Sequence, residues 1–181
     1  MALLQCSDSV DGPGTVGIMA QFMKTVTFDS TTQPGEEIVT RAQNAGWQVA
    51  FASVTYRENQ SLEVRLALKN HELLPEVGVW DEGTWDDTRW ANGDRLEEIL
   101  AIISNGSFPK DRRNLSEKQL HQLRDALVLE AHAAHGRDVL VSDDLKAFIN
   151  HERREKLQAL LGTRILTSAE FQAELTRLPE S

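Results

Sequence analysis

The chain has 181 residues, 40% of them hydrophobic, with 28 acidic against 19 basic side chains and a net charge of −9. That length suits one domain with an ample core, and no stretch approaches the ~18 consecutive apolar residues of a membrane helix. The one cysteine, Cys6, excludes an internal disulfide and a cysteine-built zinc site. The acidic balance argues against a general polyanion binder, whose affinity comes from basic groups on phosphates.

Residues 1–22 mix Ser, Asp and Gly around Pro13 with little periodicity, and a flexible tail is expected there. They carry neither a basic leader nor a long apolar run, so no secretory signal is expected. With the lone thiol, this points to the cytoplasm. Met19 and Met23 just precede the first strand-like run. If translation starts at Met23, the intact mass of the native protein excludes Met1 and Ala2.

From residue 23 to 178 the punctuation is that of one α/β domain. Thr25–Phe28 is β-branched and aromatic and predicts a short strand ending at Asp29. Pro34 followed by Glu36 and Glu37 opens a helix that runs to about Gly46. Trp47–Ala52 predicts a second strand, and Ser53 or Thr55 a cap for a helix carrying Glu58, Leu62 and Leu66. Residues 73–114 read as an insertion. Trp80, Trp85 and Trp90 recur every five residues there, with acids between them, a period of neither helix nor strand. Within it, Asp94 to about Gly106 predicts a helix, and Pro109–Asn114 a basic loop.

Ser116 with Gln119 is a capping box, opening a helix with Leu120, Leu123, Leu127, Ala131 and Ala134 on its apolar face. Gly136 ends it. Asp138–Ser142 predicts a buried parallel strand. Helical burial follows at Phe148, Ile149, Leu157 and Leu160. Thr163–Leu166 predicts a last strand, and Thr167 with Glu170 caps a terminal helix. Such alternation predicts a three-layer α/β/α sandwich around a mostly parallel sheet.

Ligands of such sheets bind beyond the carboxyl ends of the strands, and acids gather there. Asp29 ends the first strand, and Asp143 and Asp144 follow the Asp138–Ser142 strand. Glu58 lies on the helix leaving the second strand, and Asp125 on the helix entering the third. Carboxylates drawn together repel one another, and a hard cation such as Mg²⁺ or Mn²⁺ relieves that repulsion with oxygen ligands. Two such ions activate a water and stabilise the leaving oxygen of a phosphodiester. The competing reading is structural. Asp143 and Asp144 also suit the cap of the helix beginning at Leu145, and Glu58 and Asp125 suit solvated helical positions.

The segment RDALVLEAHAAHGRDVLVSDDLKAF, continued by HERREKLQALLGTRILTSAEF, resembles the closing part of PIN-domain proteins. An acid on a Gly-ended helix leads to a short strand and Ser-x-Asp, with nineteen residues from Asp125 to Asp144. VTFDSTT resembles the opening strand of that family, and SVTYRE its segment with a Glu. The likeness covers residues 24–60 and 115–175. It implies a PIN-like fold and a metal-dependent nuclease acting on single-stranded RNA. The implied Mg²⁺ or Mn²⁺ ligands, also the catalytic acids, are Asp29, Glu58, Asp125 and Asp144. Ser30 and Ser142 match the supporting hydroxyls, and Asp143 is a further candidate. Several members are toxins paired with antitoxins, and homodimers are common among them. The chain departs from the pattern where Thr31, Thr32, Gln33 and Pro34 replace an apolar continuation, and in the Trp-rich insertion.

His132 shares the face of Asp125 and is a candidate to orient a carboxylate or substrate, although a structural histidine fits as well. Lys110, Arg112 and Arg113, with Arg153 and Arg154, are candidates to hold an RNA backbone; the alternative is a solvated face of ion pairs. The tryptophans suit base stacking, but the acids between them favour packing. Two functional readings follow: a PIN-like ribonuclease, or a catalytically inactive PIN-like module for interaction and regulation. A haloacid-dehalogenase-like phosphatase is disfavoured, because the second residue after Asp29 is Thr31 and not an acid.

Overall fold

Seven strands and five helices follow one another in a computed structural model that describes residues 24–29, 32, 36–52, 72–75, 77–78, 89–90, 92–150 and 152–177. The predicted tail over residues 1–22 and the predicted helix with Glu58 lie outside the described residues.

Strand β1 (Lys24–Phe28) leads to helix α1 (Glu36–Asn44) and strand β2 (Trp47–Ala52). Gly46, at φ +80°, makes the tight turn between α1 and β2. Three short strands follow: β3 (Glu72–Leu74), β4 (Val77–Gly78) and β5 (Arg89–Trp90). Helices α2 (Gly93–Ser104) and α3 (Glu117–Ala134) come next, then β6 (Val139–Val141). A π-helical turn (Leu145–Ile149), α4 (Arg153–Leu161), β7 (Arg164–Leu166) and α5 (Ser168–Arg177) complete the order.

The main sheet has five parallel strands in the order β3-β2-β1-β6-β7, and β4 pairs with β5 apart from it. The pleat sorts side chains to two layers. Val26, Phe28, Val49, Phe51, Val139 and Val141 pack on one face with Val39 and Ala42 of α1 and Phe171 and Leu175 of α5. Phe171 meets Phe28 and Trp47 edge-on, with centroids 5.6 and 5.3 Å away. Leu140, Ala52 and Ile165 pack on the opposite face with α2, α3, α4 and the π turn. The result is a three-layer α/β/α sandwich. Among the described residues no helix is long and apolar enough to cross a membrane.

One strand differs from the expectation, and one expected helix, α2, forms within a residue or two of its predicted place. β3 extends the sheet through a stretch without strand periodicity. The region read as an insertion also contributes α2, whose Leu96, Ile99, Leu100 and Ile103 belong to the core. Its position on α3 is held by charge. Glu130 of α3 is fully buried, and Arg95 of α2 donates to it twice, at 2.6 and 2.7 Å. The Asn92 amide donates to the same carboxylate at 2.9 Å.

The capping box at Ser116 is formed. Ser116 Oγ accepts from the Gln119 amide at 3.4 Å, and Gln119 Oε1 accepts from the Ser116 amide at 2.8 Å. Ser116→Ala is expected to lower stability by about 1 kcal/mol, read as a lower urea midpoint at unchanged slope.

At the outer edge, Arg164 N donates to Asp138 O, and Leu166 O accepts from Ser142 N, so these groups face β6. The Ile165 amide between them faces outward and donates to Gln158 Oε1 of α4 at 2.8 Å.

Candidate functional site

The chain lays down β1, β2 and β3 in one direction, then returns to the other side of β1 for β6 and β7. Strand order therefore reverses between β1 and β6, the kind of point where open parallel sheets bind ligands beyond the strands' carboxyl ends. Asp29 follows β1, and Ser142, Asp143 and Asp144 follow β6.

Asp29 is only 3% exposed. Its amide extends the ladder to Val141 O at 3.0 Å, which holds it in strand-like backbone. Ser142, fully buried, donates its hydroxyl to Asp29 Oδ2 at 2.8 Å and accepts the Asp144 amide at 3.1 Å. One hydroxyl thus ties the ends of the two central strands together. Thr32 adds a second tie: its hydroxyl donates to Val141 O at 3.1 Å, and its amide to Asp29 O at 3.1 Å. No spacing rule singles out Thr32, because only the closure of β1 on β6 makes it a neighbour of Val141.

The two adjacent acids turn apart. Asp144 Oδ1 accepts from the amides of Lys146 and Ala147 at 2.8 and 2.7 Å and so caps the π turn. Asp143 is exposed, and both its oxygens are engaged by Ser168, from the amide at 2.9 Å and from the hydroxyl at 2.5 Å. The capping role that the sequence allowed is therefore real for Asp144, while Asp143 serves a different helix. Asp125 is half-buried in the middle of α3. Ser30 and Glu58 lie outside the described residues.

Among the described residues, no three His, Cys, Asp or Glu side chains gather as an ion-holding group. Asp29, Asp125 and Asp144 are thus not a preassembled three-carboxylate centre. At Ser142 the Asp29 carboxylate meets the Asp144 backbone amide, while the Asp144 carboxylate is turned to the π turn. A hard cation held at Asp29 would keep most of its water, since Mg²⁺ is commonly held by one or two carboxylates.

His132 lies elsewhere. It is fully buried, with Nδ1 at 2.9 Å from Thr27 Oγ1 and Nε2 at 2.7 Å from Thr163 Oγ1. The Thr163 hydroxyl donates to Asp138 O at 2.9 Å, so it accepts from His132 Nε2–H, and Thr27 donates to Nδ1. Burial, then the nearby Arg137 cation, lowers the His132 pKa to about 3. It pins α3 to β1 and the entry to β7, and it orients no carboxylate. Arg137 is itself buried and donates to Val26 O and Gln48 O at 3.1 and 2.7 Å.

Most of the candidate RNA contacts are spoken for. Arg112 pairs with Glu97, Arg113 with Asp111 at 2.8 Å and Arg154 with Glu170 at 2.8 Å. Arg153 donates to Lys146 O. Lys110 is exposed. Arg112, Arg113 and Arg154 are thus held in ion pairs, and Arg153 bonds a backbone carbonyl instead.

Among the described residues the strand order defines a doubly wound, parallel α/β protein with polar side chains at its switch point. No family model, curated protein or solved structure matches the chain.

Proposed function

We propose that the chain is a PIN-like hydrolase of phosphodiester bonds, cleaving single-stranded RNA in the cytoplasm with Mg²⁺ or Mn²⁺ held by Asp29 and Asp144. The observation that carries this reading is the buried Asp29 carboxylate, hydrogen-bonded to Ser142 at the point where strand order reverses. The sequence likeness around VTFDSTT and VSDD supports the same assignment. A bound divalent cation supplies water activation and charge stabilisation of the leaving oxygen. Ser142 fixes the orientation of Asp29 Oδ2, and the helix-capping bonds of Asp144 engage its Oδ1. Glu58 and Asp125 complete the ligand set that the resemblance implies. Pairing with an antitoxin or a second copy belongs to the same reading.

The test is calorimetric titration of Mn²⁺ into the full chain, with cleavage of single-stranded RNA followed alongside. Binding and cleavage are expected, each lost in Asp29→Asn and in Asp144→Asn. Cleavage that survives Asp144→Asn sinks the assignment.

One observation favours a second reading, an inactive PIN-like module for interaction or regulation. Both Asp143 and Asp144 spend oxygens on backbone amides, and the described acids form no three-ligand group. Wild-type protein that neither binds Mn²⁺ nor cuts RNA would favour that alternative.

A further inference from the structure

An Asn-Gly pair stands at each end of α2. Asn92 and Gly93 open the helix, Asn105 and Gly106 close it, and all four residues are exposed. Such a pair is chemically unstable in water, because glycine has no side chain to hinder attack of its own amide nitrogen on the Asn side chain. The attack closes a five-membered ring, so the pair reacts only where the chain is free to turn.

The two ends of α2 differ in that freedom. Asn92 is tied through its amide, its side chain and its carbonyl. The amide donates to Glu130 at 2.9 Å, Oδ1 accepts the Arg95 amide at 3.2 Å, and the carbonyl accepts the Leu96 amide at 2.9 Å. Swinging the Asn92 side chain onto Gly93 breaks the cap, and moving its backbone strips a donor from a carboxylate with no exposed surface. Asn105 sits in the left-handed region, at φ 53° and ψ 44°, and its side chain has no hydrogen-bond partner among the described residues. The pair is held mainly by the Gly106 amide, which donates to Ala101 O at 2.7 Å; the Asn105 amide lies 3.4 Å from Ile102 O. Both bonds belong to the exposed last turn of a helix, the part that frays at least cost.

We infer that Asn105 is a site of spontaneous deamidation in the folded protein, while the clamp on Glu130 protects Asn92. The Gly106 nitrogen gives its proton to solvent and attacks Asn105 Cγ. A Cγ–N bond forms, the Cγ–Nδ2 bond breaks, and ammonia leaves after taking a proton back from solvent. Water then opens the ring at either carbonyl, leaving aspartate or isoaspartate at position 105. Either product places a negative charge at the negative end of the α2 dipole. Isoaspartate also routes the backbone through an extra methylene, so the Gly106 amide no longer lines up with Ala101 O. The result is a slow, one-way change at the end of α2, independent of any bound metal.

The experiment ages the full-length chain in mildly alkaline buffer and follows each Asn-Gly peptide by mass spectrometry, with a parallel sample in urea. In native buffer Asn105 is expected to convert at least about tenfold faster than Asn92, the protection that one hydrogen bond to a charged group confers. In urea, where the clamp is gone, the two pairs are expected to convert at similar rates. Asn105→Gly is expected to abolish the fast conversion and keep the melting temperature, since glycine suits the left-handed cap. Conversion of Asn92 as fast as that of Asn105 in native buffer overturns the inference. So does an Asn105 that stays intact in native buffer while it converts in urea, because the Gly106 bond is then a lock.

Discussion

Glu130→Ala is expected to lower folding stability by about 3 kcal/mol, at the low end of what breaking a buried ion pair costs. Glu130 has no exposed surface and closes two bonds from Arg95 and one from the Asn92 amide. Removing it strands those donors beside the start of α2. The effect stays near the low end because the Arg95 side chain is 28% exposed and can turn partly to water. The hydrogen bond that Arg95 donates to Glu130 is also the main reason the Arg95 pKa is raised. Equilibrium urea unfolding reads the loss directly. The double variant Arg95→Met with Glu130→Met is expected to recover most of it, since apolar side chains of similar volume replace a buried pair at little cost. A double variant as unstable as Glu130→Ala would show that α2 needs the charge itself.

Acid is expected to destabilise the protein well before its carboxylates titrate. His132 takes a proton near pH 6.5 when unfolded and only near 3 when folded. Between those values the unfolded chain binds more protons, so stability is complete above pH 6.5 and falls as pH drops. The slope approaches about 1.4 kcal/mol per pH unit, which amounts to about 2–3 kcal/mol by pH 4.5. Glu170 and Glu174 are held below their ordinary value of 4.5 by Arg154 and Arg164, so their share is lost only as pH falls below that value. Unfolding measured from pH 8 to 5 isolates the histidine. His132→Gln, weaker at neutral pH, is expected to flatten the profile across that range. Nitrogen NMR should show a neutral ring with the proton on Nε2 at pH 5. A charged ring there refutes the assignment.

What the sequence revealed and what it hid have physical causes. β1, β2, β6 and β7 carry dense β-branched or aromatic runs between turn residues, and each forms within a residue or two of its predicted place. The Ser116 box is local chemistry, and it forms as written. β3 is three residues long at a sheet edge, too short to display a period. Asp29 at a strand end was visible because strand, turn and acid are contiguous. The different duties of Asp143 and Asp144 were not, because they depend on Ser168 and Ala147 lying to either side. Glu130 was hidden for the same reason, and so were the partners of His132, for which the structural reading holds. A Glu or His on a helix is ordinarily wet, and their partners Arg95 and Thr27 lie 35 and 105 residues away.

The Gln158 bond to the outward Ile165 amide bears on how molecules of this protein could associate. A sheet margin with a free main-chain donor invites a foreign strand to zip on, the usual route to runaway stacking. Here that donor is already plugged by a side chain from the same chain. The outward N–H of Ile165 is therefore not available to pair with an added strand at the β7 edge.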